Sequence, residues 1–408
     1  MPTYLVVLLG LLAAALLLHS IGMWAVFRRT RSRVPTLLED LPGLSLLKPL
    51  KGKEDALADN LRSFFQQRYP GPMEIVFCAT DANDAGLRVA KKVAQEFPQV
   101  DAKFVVSRDD FGLNPKVSNM QGGLGNTRYP YVLQSDANVR IEPGYLHALV
   151  SYAVAERADM VGSLVVGDGE QTLGATLENM QLTAFVAPAV CVAREVANVP
   201  CVIGKSMLVR RAALARVGDL SLVRSVLCED FVLAQAFRNA GFVVALSPLT
   251  VSNINRMTRV RQFLARHARW LKMRAVIHVP AHAVDPLASP GIFSLAAALA
   301  SRFDPYFVAL HAMVLLYKSA WDWVLLRRLR GHAPSLLRLV PIGQLRDLLI
   351  FCTWIYASFS RTTRWRGQLL RMGAGSKLYP VSQEHAVELP EFSSLVPEES
   401  PKLPQRIQ

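Results

Sequence analysis

The 408-residue sequence predicts an α/β protein: a mostly parallel sheet covered by helices, with a transmembrane helix in front and membrane helices behind. Three observations predict it. Between residues 44 and 166, short β-prone apolar runs alternate with helical runs. Residues 4–27 form one long apolar stretch. Half of the residues are hydrophobic (51%) and only 19% are charged, a balance that fits a membrane protein with a substantial water-facing part.

The first element is "YLVVLLGLLAAALLLHSIGMWAVF", residues 4–27. About 20 apolar residues cross a bilayer core as a helix, so this one is long enough. A cleaved signal peptide would carry positive charge in front and a small-residue cleavage site behind; this chain has "MPT" before and "RRTRSR" after. A basic flank marks the cytoplasmic end of a span, which puts the residues after Arg28 in the cytoplasm.

Strands follow at 44–50, 74–79, 102–107, 131–135 and 160–166, with helices at 56–67, at 85–96 and from Pro143. Glu229 and Asp230 open an amphipathic helix with apolar positions at Phe231, Leu233, Ala234 and Phe237. In "RQFLARHARWLKMR", 261–274, a stripe of Val260, Phe263, Leu264, His267 and Leu271 stands among Arg261, Arg266, Arg269 and Lys272. This reads as a basic helix on an anionic membrane surface, or as guanidinium groups that grip a diphosphate, and the two readings are compatible.

Residues 305–326 and 339–359 are apolar enough to enter a membrane, yet hold Lys318 with Asp322 and Arg346 with Asp347. Charge inside a bilayer is costly, so these residues are expected near an interface, paired, or facing a cavity. The run 291–300 is too short to span alone and reads as re-entrant or the start of a span. "QGGLGN", 121–126, reads as a turn, and the Pro280 between His278 and His282 argues against a helical metal pair. The tail from residue 380, rich in Pro, Glu and Ser, is expected to be disordered. The expected organisation is an anchor with its basic flank (1–34), a cytoplasmic catalytic domain (35–257), an interfacial helix (258–285), membrane segments (286–366) and a tail (367–408).

The formal charge of +14 suits nucleic acid, an anionic membrane or a phosphate-bearing substrate. The basic residues gather at membrane flanks and not among exposed stacking aromatics, so no nucleic-acid partner is expected. Five cysteines without a CxxC pair read as reduced thiols in a cytosol-facing protein.

In sheets of this kind, ligands bind at the carboxyl ends of the strands. Asp81 follows the strand 74–79 and Asp136 follows 131–135, so both are expected on one rim. Singly, each is an ordinary turn or cap residue. Glu229 and Asp230 complement a helix dipole, and with apolar Cys228, Phe231 and Val232 around them they are also general-base candidates.

Taken in order, Asp81, "SDAN" (135–138), "CED" (228–230) and "RHARW" (266–270) behind an N-terminal anchor resemble the D, DxD-like, (E)D and (Q/R)xxRW signature of membrane-bound GT-A glycosyltransferases of families 2 and 21. "LSLLKPLKG", "GLNPKVSNM" and "RTTRWRG" are similar to segments of the ceramide glucosyltransferase branch and of hopanoid glycosyltransferases. The resemblance implies a GT-A fold with a Rossmann-like sheet. It implies Asp81 at the uridine or ribose, Lys116 at the nucleotide, and Asp136 with Asn138 on Mg²⁺ or Mn²⁺. Asp230 would be the base with Glu229 beside it, and Arg266, Arg269 and Trp270 would cover the diphosphate and the way in for the acceptor.

The implied reaction moves one sugar, glucose, from a UDP-sugar to a lipid hydroxyl with inversion, at a bacterial inner membrane. Ceramide is the first acceptor, and a hopanoid or other lipid the second. Two departures stand out: Asn138 where the pattern has a second acid, and Ala187-Pro188 where eukaryotic ceramide enzymes tend to have His-Pro. A processive polysaccharide synthase would need a longer membrane bundle than the two or three candidate spans. A non-catalytic basic scaffold would need neither Asp136 nor Asp230.

Overall fold

The computed structural model describes residues 1–31, 36–108, 110–365 and 368–381. The chain opens with α1 (Thr3–Arg31), then alternates β1 (Leu44–Pro49), α2 (Leu57–Phe65), β2 (Met73–Ala79), α3 (Ala85–Gln95), β3 (Asp101–Val106), α4 (Pro115–Leu124) and β4 (Tyr131–Ser135). Next come β5 (Val139–Arg140), α5 (Tyr145–Ala155), β6 (Met160–Asp168), α6 (Leu173–Gln181), α7 (Ala187–Glu195), β7 (Ser206–Arg210), α8 (Arg211–Arg216), α9 (Glu229–Asn239) and β8 (Val244–Ile254). The remainder is α10 (Val260–Ile277), α11 (Val279–Val284), α12 (Pro290–Ala300), α13 (Pro305–Arg330), α14 (Leu336–Phe359), β9 (Thr362–Trp365), β10 (Gln368–Met372) and β11 (Leu378–Pro380).

Eight strands form one sheet in the order β3-β2-β1-β4-β7-β6-β8-β5. Strands β1 to β4 are mutually parallel, and β7 enters antiparallel between β4 and β6. Helices cover both faces, which is why the central strands read as continuous apolar runs. On one side Leu61, Phe64 and Leu87 of α2 and α3 join Leu46 and Ile75. On the other, Val117 and Met120 of α4 and Phe237 of α9 join Leu47, Val76 and Met207.

One local expectation is corrected. Residues 121–124 are the last turn of α4 and not a loop. A Cβ on Gly122 would strike the Ser107 side chain, and one on Gly123 would strike Leu47 and Cys78. Those glycines let α4 press against the sheet; close approach, not a turn, is the reason for them.

Among the described residues, α1 is the one single helix long and apolar enough to cross a membrane. The pair α11–α12, bent by 64°, meets the same measure only together. At its end α1 is fastened to α7 and β8: Arg28 Nε and Arg29 Nε each donate to Glu195 at 2.8 Å, and Arg29 Nη1 donates to the Leu246 carbonyl at 2.8 Å. The charges of α13 and α14 pair with one another. Lys318 lies 2.8 Å from Asp322 and 3.3 Å from Asp347, and Arg346 lies 2.8 Å from Asp347. All four are buried, two of each sign, so the cluster is neutral.

The antiparallel sheet β11-β10-β9 was not expected from the residue pattern. It returns from α14 to the loop before α9, where the Leu378 N–H donates to the Ser225 carbonyl (2.8 Å) and the Leu227 N–H to the Ser376 carbonyl (3.0 Å). His278 caps α11, its Nδ1 accepting the Ala281 N–H, and His282 pairs with Ser358. The tail from residue 382 lies outside the described residues.

Lys318→Met leaves Asp322 and Asp347 buried with less countercharge, and is expected to destabilise the protein by about 3–5 kcal/mol. Lys318→Met with Asp347→Asn removes one charge of each sign and should recover most of that loss. Thermal unfolding in detergent compares the two variants.

Candidate active site

The site begins with strand register. β4 pairs antiparallel with β7, Ser135 opposite Ser206, so the chain positions just beyond, Asp136 and Lys205, emerge side by side. The Asp136 carboxylate is held on both oxygens. Lys116 Nζ lies 3.0 Å from Oδ1, and Lys205 Nζ lies 3.0 Å from Oδ2. The Lys205 ammonium also donates to Asn138 Oδ1 at 2.9 Å. Burial opposes ionisation of Asp136, but Lys116 and Lys205 outweigh it and hold the carboxyl well below the usual carboxylate range.

Each lysine is placed by local structure. In "NPK", the Asn114 side chain caps α4 by accepting the N–H groups of Lys116 and Val117, and Pro115 occupies the first turn. Lys116 therefore leaves the first turn of α4 towards Asp136. Lys48 is buried in β1, donates to Ser135 Oγ (3.2 Å) and the Asp136 carbonyl (2.8 Å), and stands 3.6 Å above the Phe64 ring. Burial lowers its pKa well below the ordinary lysine value despite the pull of Asp136.

The acids of α9 meet the same cluster. Glu229 is buried, with Oε1 2.9 Å from Lys116 Nζ. Burial raises its pKa, and Asp230 adds to that against the opposing pull of Lys116. Asp230 is only partly buried; its Oδ2 accepts the Gly204 N–H at 2.7 Å and its Oδ1 the Cys228 thiol at 3.3 Å. Gly204 is the hinge of this arrangement. Its carbonyl accepts Gln134 Nε2 at 2.6 Å, and a Cβ there would lie 3.1 Å from Lys116 Nζ and 3.2 Å from Asp230 Oδ2. Glycine gives clearance here, because three polar side chains converge on its backbone.

Helix α10 carries the remaining residues. Glu178 of α6, fully buried, takes Arg266 Nη1 at 3.0 Å and His267 Nε2 at 3.2 Å. Burial opposes its ionisation, but His267 and Arg266 bring its pKa down to about 2. The His267 ring meets the Trp270 ring edge-on at 5.3 Å, and the Arg269 guanidinium lies 6.0 Å from the Trp365 ring of β9. Burial, with Arg266 nearby, lowers Arg269 to about 10, against weaker pulls from Glu178 and Glu229. Phe263 and Leu264 of the same helix pack against Ile342, Leu349 and Ile350 of α14.

The structure thus brings Lys116, Asp136, Asn138, Glu229 and Asp230 into one cluster, with Arg269 within electrostatic reach of Glu229. It does not bring Asp81 into contact with them. Asp81 is exposed beyond β2, accepting the Asn83 N–H at 2.8 Å, two strand spacings or about 10 Å from the β4 line. Sequence reasoning missed Lys48, Gly204, Lys205 and Glu178. A lone lysine inside "LSLLKPL" and a lone glutamate in "ATLENMQLTAF" were the available signals for two of them.

For a divalent cation, the chain offers one carboxylate, Asp136, and one amide, Asn138. No group of three or more His, Cys, Asp or Glu side chains suited to a metal exists among the described residues. That donor set fits a hard cation only where substrate phosphates complete its shell, since Mg²⁺ commonly takes one or two carboxylates plus phosphate oxygens.

The sheet order, the acids at strand ends and the basic helix beyond them fit an α/β transferase. The profile of glycosyl transferase family 21 matches residues 3–378, and the chain belongs to that family. It is a glycosyltransferase. Ceramide glucosyltransferase 3 of Caenorhabditis elegans is 26% identical over 345 residues, covering 83% of this chain and 75% of the relative. Ceramide glucosyltransferase 1 of the same organism is 28% identical over 275 residues, 66% of this chain and 58% of the relative. The Komagataella phaffii ceramide glucosyltransferase is 26% identical, covering 66% of this chain and 64% of the relative. In fold, the chain is similar to the mannosyltransferase PcManGT of Pyrobaculum calidifontis, solved with GDP-Man and Mn²⁺. Identity is 13% and the TM-score 0.50, covering 87% of this chain and 99% of that one.

Glu178, ionised in the fold down to about pH 2 and in an unfolded chain only to about 4.3, stabilises the protein fully above the higher value. That contribution fades as pH falls towards the lower one. Glu178→Gln is expected to lower the melting temperature at pH 7 on the order of 5 °C, and the gap to wild type should narrow below about pH 4.3. Thermal unfolding across pH measures it; a gap independent of pH would refute the assignment.

Proposed function

We propose that the protein transfers a single sugar, glucose, from a UDP-sugar to the hydroxyl of a membrane lipid, ceramide in the first instance, with inversion at the anomeric carbon. What carries the reading is the meeting of two chemistries in one cluster. Asp136 stands at a strand's carboxyl end amid ammonium groups, and Asp230 stands beside it on the Gly204 amide. Membership in the family and the names of its relatives support the same reading.

The residues divide the work. Asp81 faces the uridine or ribose, and Lys116 meets the nucleotide's phosphates. Arg269, half-buried and with no carboxylate in contact among the described residues, is poised for an anion. Arg266 and Trp270, fixed through Glu178 and His267, line the same side. Charge that builds on the departing diphosphate is met by these cations. Mg²⁺ or Mn²⁺ held by Asp136, Asn138 and the diphosphate would add Lewis-acid stabilisation of the leaving group. Asp230, part exposed, takes the proton of the lipid hydroxyl as it attacks from the face opposite the diphosphate. Glu229, buried on Lys116, supports that lysine and does not meet the acceptor.

The acceptor arrives from the bilayer. α10 packs on α14, whose residues 339–359 read as a membrane segment, which supports an acceptor that reaches the site from the bilayer. The basic flank Arg28, Arg29 and Arg31 at the end of α1 supports a domain that faces the cytoplasm of a bacterial inner membrane, and five free cysteines fit such a reducing compartment. Ala187 in the place of the His-Pro histidine favours a second acceptor class, hopanoids or other lipids.

Membranes carrying the protein are offered UDP-glucose with ceramide, a hopanoid and diacylglycerol, and the products are identified by mass spectrometry and anomeric NMR. Glucosylceramide of inverted configuration is expected. Asp230→Asn should cut transfer by roughly a hundred- to ten-thousand-fold while the protein stays in the membrane. Normal turnover by that variant would remove Asp230 from the base role.

A further inference from the structure

Lys205 stands where a metal would stand. Its ammonium lies 3.0 Å from Asp136 Oδ2 and 2.9 Å from Asn138 Oδ1, the two oxygens that the chain has to offer a divalent cation. A Mg²⁺ or Mn²⁺ ion on the same pair would sit about 2.1 Å from each oxygen, inside the volume that the ammonium fills. Both cannot be present. The placement is not a chance of one long side chain, because the pairing of Ser135 with Ser206 puts Lys205 next to Asp136. The Lys205 amide is also fixed, donating to the Ile203 carbonyl at 2.7 Å.

Lys116 does not share this position. It spans Asp136 Oδ1 and Glu229 Oε1, on the side of α9. Asp136 therefore carries a structural cation on one oxygen and an exchangeable one on the other. The two lysine side chains are equally exposed, 19% each, and differ in what holds them: Lys116 meets two carboxylates, Lys205 one carboxylate and a neutral amide.

Resting on the donor-site reading above, we propose that Lys205 is a built-in cation of the donor site that competes with divalent metal for Asp136 and Asn138. In the free enzyme the ammonium satisfies the two oxygens and keeps metal out. When metal arrives with the nucleotide diphosphate, the added phosphate oxygens tip the exchange and Lys205 leaves the pair. The substituted acid at Asn138 fits this device, since a neutral amide holds an ammonium by hydrogen bonding and leaves the metal dependent on the substrate.

The test uses the full chain in detergent micelles and needs no turnover. Mn²⁺ binding without nucleotide is followed by loss of the free-ion EPR signal. Lys205→Met and Lys205→Gln should each bind Mn²⁺ about tenfold or more tightly than wild type, the scale of a close charge pair. Lys103→Met, a change on the far edge strand β3, should leave the affinity as it is. Equal affinity in wild type and both Lys205 variants, or no binding by any of them, overturns the proposal. A second measurement uses the unaltered protein: acetylation of Lys205 by an amine-reactive ester, read by peptide mass spectrometry, should rise when Mn²⁺ and UDP are added together. Unchanged labelling at saturating Mn²⁺ and UDP also overturns it. UDP binding by calorimetry tests the donor reading separately: a chain that binds no UDP under any condition refutes that reading, whatever the Mn²⁺ titration gives.

Discussion

Asp136 is a carboxylate drawn largely out of water, its side chain 21% exposed, at the end of a central strand, and the surrounding structure is arranged to keep it charged. Burial of a lone carboxylate is costly enough that the group would take up a proton. Two lysines prevent that, Lys116 from α4 and Lys205 from just before β7, while Lys48 from β1 holds the Asp136 backbone carbonyl. Each demands something further of the fold. Lys116 needs the Asn114 cap, Lys205 needs the antiparallel register, and Lys48 needs a place in an apolar strand. Gly204 gives them clearance, because Gln134, Lys116 and Asp230 all close on one backbone position.

The same economy of charge recurs further along the chain. Glu178 ties α10 to α6 through Arg266 and His267, while among the described residues the next arginine, Arg269, has no carboxylate in contact. Between α13 and α14, Lys318, Asp322, Arg346 and Asp347 neutralise one another in a buried cluster. That cluster gives two otherwise apolar helices a defined register, since a one-residue slip would part the ions. The small sheet β9–β11 completes the arrangement, returning the chain to α9 and placing Trp365 near Arg269.

Much of this was legible in the residues. The apolar run at 4–27 and the alternation of strands with helices depend on local composition, and length and periodicity report them directly. Asp136, Glu229, Asp230 and Arg269 were legible as chemistry because acids and arginines stood at strand ends and helix starts in a familiar order. Lys205 was not, because a lysine before an apolar strand has no meaning until that strand is known to run antiparallel beside β4. Glycines 122 and 123 read as a turn for the same reason: their use lies in the distance between a helix and a sheet. The sheet β9–β11 was hidden because its strands are short and its partner loop lies some 150 residues earlier in number, at Ser225.

By itself, then, the sequence determined the class of fold, the apolar first helix, and the residue types available for binding a diphosphate and removing a proton. Those follow from propensity, hydrophobic period and side-chain chemistry, which are properties of neighbours along the chain. Only the tertiary structure decided which cation meets which carboxylate: Lys116 with Asp136 and Glu229, Lys205 with Asp136 and Asn138, Arg266 with Glu178. Charge pairing depends on separations of about 3 Å between residues far apart in number, and strand register and helix packing alone set those separations.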